Sequence, residues 1–79
     1  MHDQEKNILQ AIADHLGIAP EDVDRGSLLR DELNLGPIEL NDLLHALSQK
    51  FDMIFHPEEI ENVKTVGDLI VLIEDNLIG

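Results

Sequence analysis

Beyond Gly36 the chain carries an apolar stripe, Leu40, Leu43, Leu44, Leu47 and Phe51, spaced by three or four residues. Such spacing is buried on one face of an α-helix and fits no strand. The preceding residues fix where that helix begins. Pro37 suits a first helical position, where an amide proton would have no partner and φ is already near the helical value, and Gly36 can serve as its N-cap. Glu39, Asp42, His45 and Lys50 lie off the stripe, so a helix over 37–50 is amphipathic throughout. Ile38 falls beside the stripe. There it either packs inward against the preceding loop, the role that general burial preferences favour, or offers an apolar contact to a partner.

Upstream, Ile8, Leu9, Ile12, Ala13 and Leu16 recur at helical spacing over residues 4–16, with Asp3 as a candidate cap, Glu5 in the first turn and Gly17 placed to stop the helix. Residues 17–36 fit no single long period and predict an ordered loop pinned by Ile18, Val23, Leu28 and Leu29. Within it, Pro20-Glu21-Asp22-Val23 is expected to form one helical turn, and Ser27 can start another. Phe51-Asp52-Met53-Ile54-Phe55 resembles a strand by composition, but a lone strand has nothing to pair with, so a tucked loop is expected. A short third helix follows at 56–60, with Pro57 at its first position. A fourth opens at Thr65, whose N-cap role Asp68 can complete as the reciprocal half of a capping box. Val66, Leu69, Ile70, Leu72, Ile73 and Leu77 give that helix a broad apolar face to about Asn76, with Ile78 and Gly79 frayed. The expectation is an all-α domain spanning 1–79: a four-helix bundle of three long helices and one short, with a long loop between the first two.

Composition supports this. The core must be aliphatic, because Phe51 and Phe55 are the only aromatic residues in 79. Aliphatic side chains suit helix-on-helix packing better than a sheet sandwich. Seventeen acidic residues against five basic ones give a formal charge of −12, which repels nucleic acid and anionic membranes and either steers toward a basic protein surface or serves solubility alone. There is no cysteine, so disulfides, thiolate metal sites and a thiol nucleophile are excluded. No apolar run reaches the roughly 18 residues of a membrane span, and the first residues lack a signal-peptide profile, so a cytoplasmic monomer is expected.

Taken together, several stretches resemble the acyl carrier proteins. They are Leu33 followed by Gly36-Pro37-Ile38-Glu39-Leu40, the step from Ala46-Leu47 to Phe51-Asp52, Pro57-Glu58-Glu59, and Val63-Lys64-Thr65-Val66-Gly67-Asp68-Leu69. The resemblance covers about the whole chain. It implies a four-helix carrier bundle and a place in lipid metabolism, with 4′-phosphopantetheine on a serine of an Asp-Ser-Leu or Asp-Ser-Ile tripeptide opening the second helix. Here that tripeptide reads Gly36-Pro37-Ile38. The attachment position falls on Pro37, which has no hydroxyl to attack the pyrophosphate of coenzyme A and no amide proton. No cofactor is therefore expected. Ser27 in the loop and Ser48 deep in the second helix lack the helix-start context.

The resemblance also implies docking of the second helix on Arg- and Lys-rich partner grooves. Glu39 and Asp42 keep acids in its first half, whereas His45, Ser48, Gln49 and Lys50 follow in its second, with Asp31 and Glu32 available from the loop. Partner contact is expected through Asp31, Glu32, Ile38, Glu39 and Asp42, with a synthase, ligase or transferase. Other readings stay open: a working carrier of fatty-acid or polyketide synthesis modified at an unexpected residue, or a non-covalent binder of acyl chains. His2, His15, His45 and His56 are scattered without the paired spacing of a metal site, and the pairs Asp31-Glu32 and Glu58-Glu59 form no calcium loop, so no metal is expected. Without a phosphate loop, a nucleophile elbow or a His-based relay, no enzyme is expected.

Overall fold

A computed structural model describes residues 2–78. It contains α1 (His2–Leu16), α2 (Pro37–Phe51), α3 (Pro57–Ile60) and α4 (Val66–Ile78), with one turn of 3-10 helix at Pro20–Asp22. This is the expected all-α bundle of three long helices and one short. α1 packs against both α2 and α4. Ile8, Ala11, Ile12 and Ala13 of α1, Leu43, Leu44 and Leu47 of α2, and Val66, Leu69, Ile70 and Ile73 of α4 form the buried core, which Val23, Leu29 and Leu35 of the loop complete. Truncating a Leu so enclosed typically costs about 2–5 kcal/mol, so this aliphatic cluster carries the stability of the bundle.

Gly17 ends α1 as its position predicts. Its φ of +73° allows the Ile18 N–H to reach the Ala13 carbonyl at 3.1 Å and its own N–H to reach that of Asp14 at 3.3 Å. Both contacts satisfy carbonyls left open at the helix end. Asp3 is not a cap: it lies inside α1, because nothing in the polar run before Ile8 breaks a helix.

The long loop is tied to α4. Leu28 pairs with Thr65 in an isolated antiparallel bridge. The Leu29 N–H donates to the Lys64 carbonyl at 3.0 Å, the Val66 N–H to that of Ser27 at 3.0 Å, and the Gly67 N–H to that of Arg25 at 2.8 Å. The capping box expected at Thr65 forms as well: the Asp68 N–H donates to Thr65 Oγ1 at 3.1 Å, and the Thr65 N–H to Asp68 Oδ2 at 3.2 Å. All four N–H groups that a helix start leaves open, those of Thr65 to Asp68, are thereby satisfied. Ser27 starts no turn, since its carbonyl is committed to α4. The turn begins at Leu28, whose carbonyl accepts from Glu32 and Leu33 at 3.0 Å each. Of the four side chains expected to pin the loop, Val23 and Leu29 are buried but Ile18 and Leu28 are exposed. Leu35 takes up the missing role. The Arg25 side chain adds an ion pair to Glu5 of α1.

Between α2 and α3, Asp52 turns the chain with a left-handed φ of +53°. Phe51, Met53 and Phe55 pack against the core, as a tucked loop requires, but Ile54 points out. α3 starts at Pro57, where the Glu59 carboxylate accepts the His56 N–H at 3.3 Å. α4 continues to Ile78 rather than fraying after Asn76, whose side chain donates to the Leu72 carbonyl at 2.8 Å; Gly79 lies outside the described residues.

The box at α4 predicts an acid dependence. Hydrogen bonds from the Lys64 and Thr65 N–H groups hold the Asp68 carboxyl below its ordinary value of 3.8. A carboxyl depressed by folding stabilises the native state in full above its unfolded value, and that contribution is lost as pH falls through the folded one. Asp68→Ala is therefore expected to destabilise the protein at neutral pH. Its difference from the unaltered chain in denaturant unfolding should shrink progressively below pH 3.8. A difference that holds constant into strong acid would show that the carboxylate plays no capping role.

Candidate functional site

The start of α2 is built from the loop side. Asn34 adopts a left-handed φ of +57°, a conformation Asn tolerates better than most residues. The turn lets the Leu35 N–H donate to the Leu29 carbonyl at 3.0 Å and drops the Leu35 side chain into the core. Gly36 follows as N-cap in extended backbone and its carbonyl takes the Leu40 N–H at 2.9 Å, with Pro37 at the first helical position. Unlike α4, α2 has no side-chain cap. Glu39 instead folds back: a Cβ built on Gly36 would lie 2.6 Å from Glu39 Oε1. The carboxylate so placed sits where the helix dipole favours negative charge.

Beside this start lies a cleft of about 550 Å³, walled by Leu29, Leu35, Pro37, Leu40 and Val63, with Arg30, Asp31 and Lys64 at its polar parts. Two of the chain's five basic residues thus meet one acid of the expected partner set around Pro37. The other acids separate into two kinds. Glu39 and Asp42 stand exposed on the first turns of α2. Glu32 is engaged locally, its carboxylate accepting the Leu28 N–H at 2.8 Å.

Ile38 does not pack against the loop, for its side chain is 74% exposed. It stands two residues before Leu40, about 200° around the helix at 3.6 residues per turn, so burying the stripe turns Ile38 outward. Ile54, equally exposed at 74%, was missed by reading residue types alone. The available signal was alternation: with Phe51, Met53 and Phe55 turned inward, the residue between the last two must face out.

Neither serine near the helix shares this setting. Ser48 is half-buried and its hydroxyl donates to the His45 carbonyl at 2.7 Å, while Ser27 is half-buried within the loop. His15, His45 and His56 are exposed on separate elements, and among the described residues no three His, Asp or Glu side chains converge as metal ligands. Nor, among these residues, is any helix long and apolar enough to cross a membrane.

Comparison with known proteins adds to this geometry. Residues 6–73 match the family model described as "Phosphopantetheine attachment site". The chain is 34% identical to the acyl carrier protein of Chlamydia muridarum over 90% of its own length and 92% of that protein. It is 33% identical to that of Chlamydia trachomatis serovar L2, over 91% and 94%, and 31% identical to that of Wolinella succinogenes, over 89% and 92%. With the four-helix bundle in place, the chain belongs to the acyl carrier protein family, whose members are carriers rather than enzymes. That family normally bears 4′-phosphopantetheine.

The folded-back Glu39 gives a local test. A side chain at position 36 displaces only the end of a flexible carboxylate, and Ser is a slightly better N-cap than Gly. Gly36→Ser is expected to raise stability by a few tenths of a kcal/mol, read as a small increase in Tm. A loss of more than about 1 kcal/mol would mean that Glu39 is fixed where it lies and is itself the effective cap.

Proposed function

We propose that this chain is a carrier-fold protein without an attachment residue, which acts through protein contacts with enzymes that process acyl chains or their carriers, such as a synthase, ligase or transferase. The observation that carries the reading is Pro37 at the first position of α2. Attachment of phosphopantetheine requires an oxygen nucleophile to attack the β-phosphorus of coenzyme A, forming a new P–O bond as the bond to the bridging pyrophosphate oxygen breaks and 3′,5′-adenosine diphosphate leaves. The saturated ring of Pro37 supplies neither the oxygen nor a proton. The same helix start keeps what a docking surface needs. Ile38, Glu39 and Asp42 are exposed, Asp31 lines the cleft together with Pro37, and a charge of −12 steers toward a basic partner. Glu32, though exposed, contributes less direct contact because its carboxylate holds the Leu28 turn. On this reading the protein works as a cytoplasmic monomer that occupies or regulates a carrier's docking place.

A second reading, non-covalent binding of an acyl chain, is favoured by the apolar walls of the 550 Å³ cleft. Its check is the amide NMR spectrum on adding decanoate: saturable shifts at Leu29, Leu35 and Leu40 support it, and an unchanged spectrum removes it.

For the main reading, the purified chain is incubated with coenzyme A and a broad-specificity phosphopantetheinyl transferase and its intact mass is recorded. No gain in mass is expected. Pro37→Ser, alone and with Gly36→Asp, reports whether the missing hydroxyl is the sole barrier, and the double variant is expected to be modified. A stoichiometric adduct on the unaltered chain overturns the reading and supports a working carrier modified elsewhere, with peptide mapping to distinguish Ser27 from Ser48.

A further inference from the structure

The last helix has a flank that the bundle does not cover. α4 has 13 residues, roughly 20 Å at about 1.5 Å per residue, whereas α3 has 4, roughly 6 Å. The core takes in Val66, Leu69, Ile70 and Ile73. Val71 is left 46% exposed and Leu72 half-buried. Along this flank runs a groove of about 350 Å³, walled by Val63, Val71 and Leu72 and edged by Glu59, Asp68 and Asp75. None of its lining residues belongs to α2.

The order of the α4 residues in the groove is regular. Asp68, Val71, Leu72 and Asp75 stand at i, i+3, i+4 and i+7, which is one face of a helix. Two carboxylates about 10 Å apart thus bracket two aliphatic side chains. Neither α3 nor α4 contains a basic residue, and Lys64 lines the cleft beside Pro37 instead. The acids are also placed against the helix's own interest. Glu74 and Asp75 lie near the C-terminal end of α4, where the dipole disfavours negative charge, and no basic residue in the last turn offsets them. A local rule broken without a gain inside the fold points to a use outside it.

We propose that this groove seats a helix of a partner protein that carries two Lys or Arg residues seven positions apart with aliphatic residues between them. A helix lying along α4 reproduces the repeat residue for residue: its cations meet Asp68 and Asp75, and the side chains between them cover Val71 and Leu72. Cations at the C-terminal end of α4 also relieve the charge that the helix carries there. The contact shares no residue with the acidic and apolar surface at the start of α2, so one copy of the chain can hold two proteins at once. A second copy is a poor occupant, since it would set −12 against −12, and an anionic membrane is repelled in the same way.

The test titrates the full chain, labelled with ¹⁵N, with an alanine-based helical peptide bearing Lys at two positions seven apart and Leu at the third and fourth positions after the first. A peptide of the same composition with its two Lys residues adjacent, and spermidine, serve as controls. The matched peptide is expected to shift amides of residues 59–63 and 68–75 and to bind more tightly than either control. Val71→Ala is expected to weaken it about threefold or more without lowering Tm, because the side chain is half out of the fold and Ala is the better helix former. Asp75→Asn is expected to weaken it by a similar factor and to flatten its dependence on salt, while Tm holds or rises. A merely structural Asp75 would instead lower Tm and leave binding unchanged. Shifts confined to α1 or α2, equal binding of either control, or unchanged affinity in both variants would each overturn the proposal. Phosphopantetheine attachment at the start of α2 is judged by the mass measurement alone, so neither result decides the other.

Discussion

Everything at the start of α2 depends on how the loop is fastened to the start of α4. Three backbone bonds join the two: from Leu29 to the Lys64 carbonyl, and from Val66 and Gly67 to the carbonyls of Ser27 and Arg25. They do two things at once. They satisfy helix N–H groups that side chains alone would leave open, and they hold the loop where Leu29 and Leu35 can enter the core. Gly67 matters here for its lack of a side chain, since a Cβ would come within 3.1 Å of the Arg25 carbonyl. Leu35 in the core then fixes the position of Gly36 and Pro37 from outside the helix that they begin.

The two long-helix starts after the loop are consequently unlike. α4 is closed by a reciprocal Thr65–Asp68 box and by the loop, whereas α2 has a glycine cap, a proline and a folded-back Glu39. Pro37 removes one N–H that would otherwise seek a partner, so the same residue that lacks a nucleophile also makes a weakly capped helix easier to begin. On the proposed reading this is the position where chemistry and fold pull on one residue, and here the fold's requirement is met.

Much of this was legible in the residues. The stripe from Leu40 to Phe51, the Gly17 stop, the Pro20 turn and the Thr65–Asp68 box all rest on local rules, and local rules were enough to place them. What escaped was set by tertiary contacts. Ser27 reads as a turn starter until α4 claims its carbonyl, and Leu28 reads as a pin until its backbone pairs with Thr65. Asp3 reads as a cap because capping residues are recognised by type, although a polar run without a breaker lets the helix begin earlier. At the candidate site, Glu39 and Asp42 could be placed on the surface from spacing. Ile38 followed the general preference for burial, which the angle between it and Leu40 overrides, and Ile54 could be recognised only once its neighbours were known to turn inward.

If the proposed contact-only reading holds, the protein should leave its cell unmodified. Mass spectrometry of the protein isolated from its own source tests this most directly, on the tryptic peptide that follows Arg30 and ends at Lys50, which holds Pro37 and Ser48 together. The peptide is expected at the mass of its bare sequence, with the Ser27 peptide likewise unmodified. Either peptide carrying phosphopantetheine or an acyl-phosphopantetheine would contradict the claim that this chain works by contact alone.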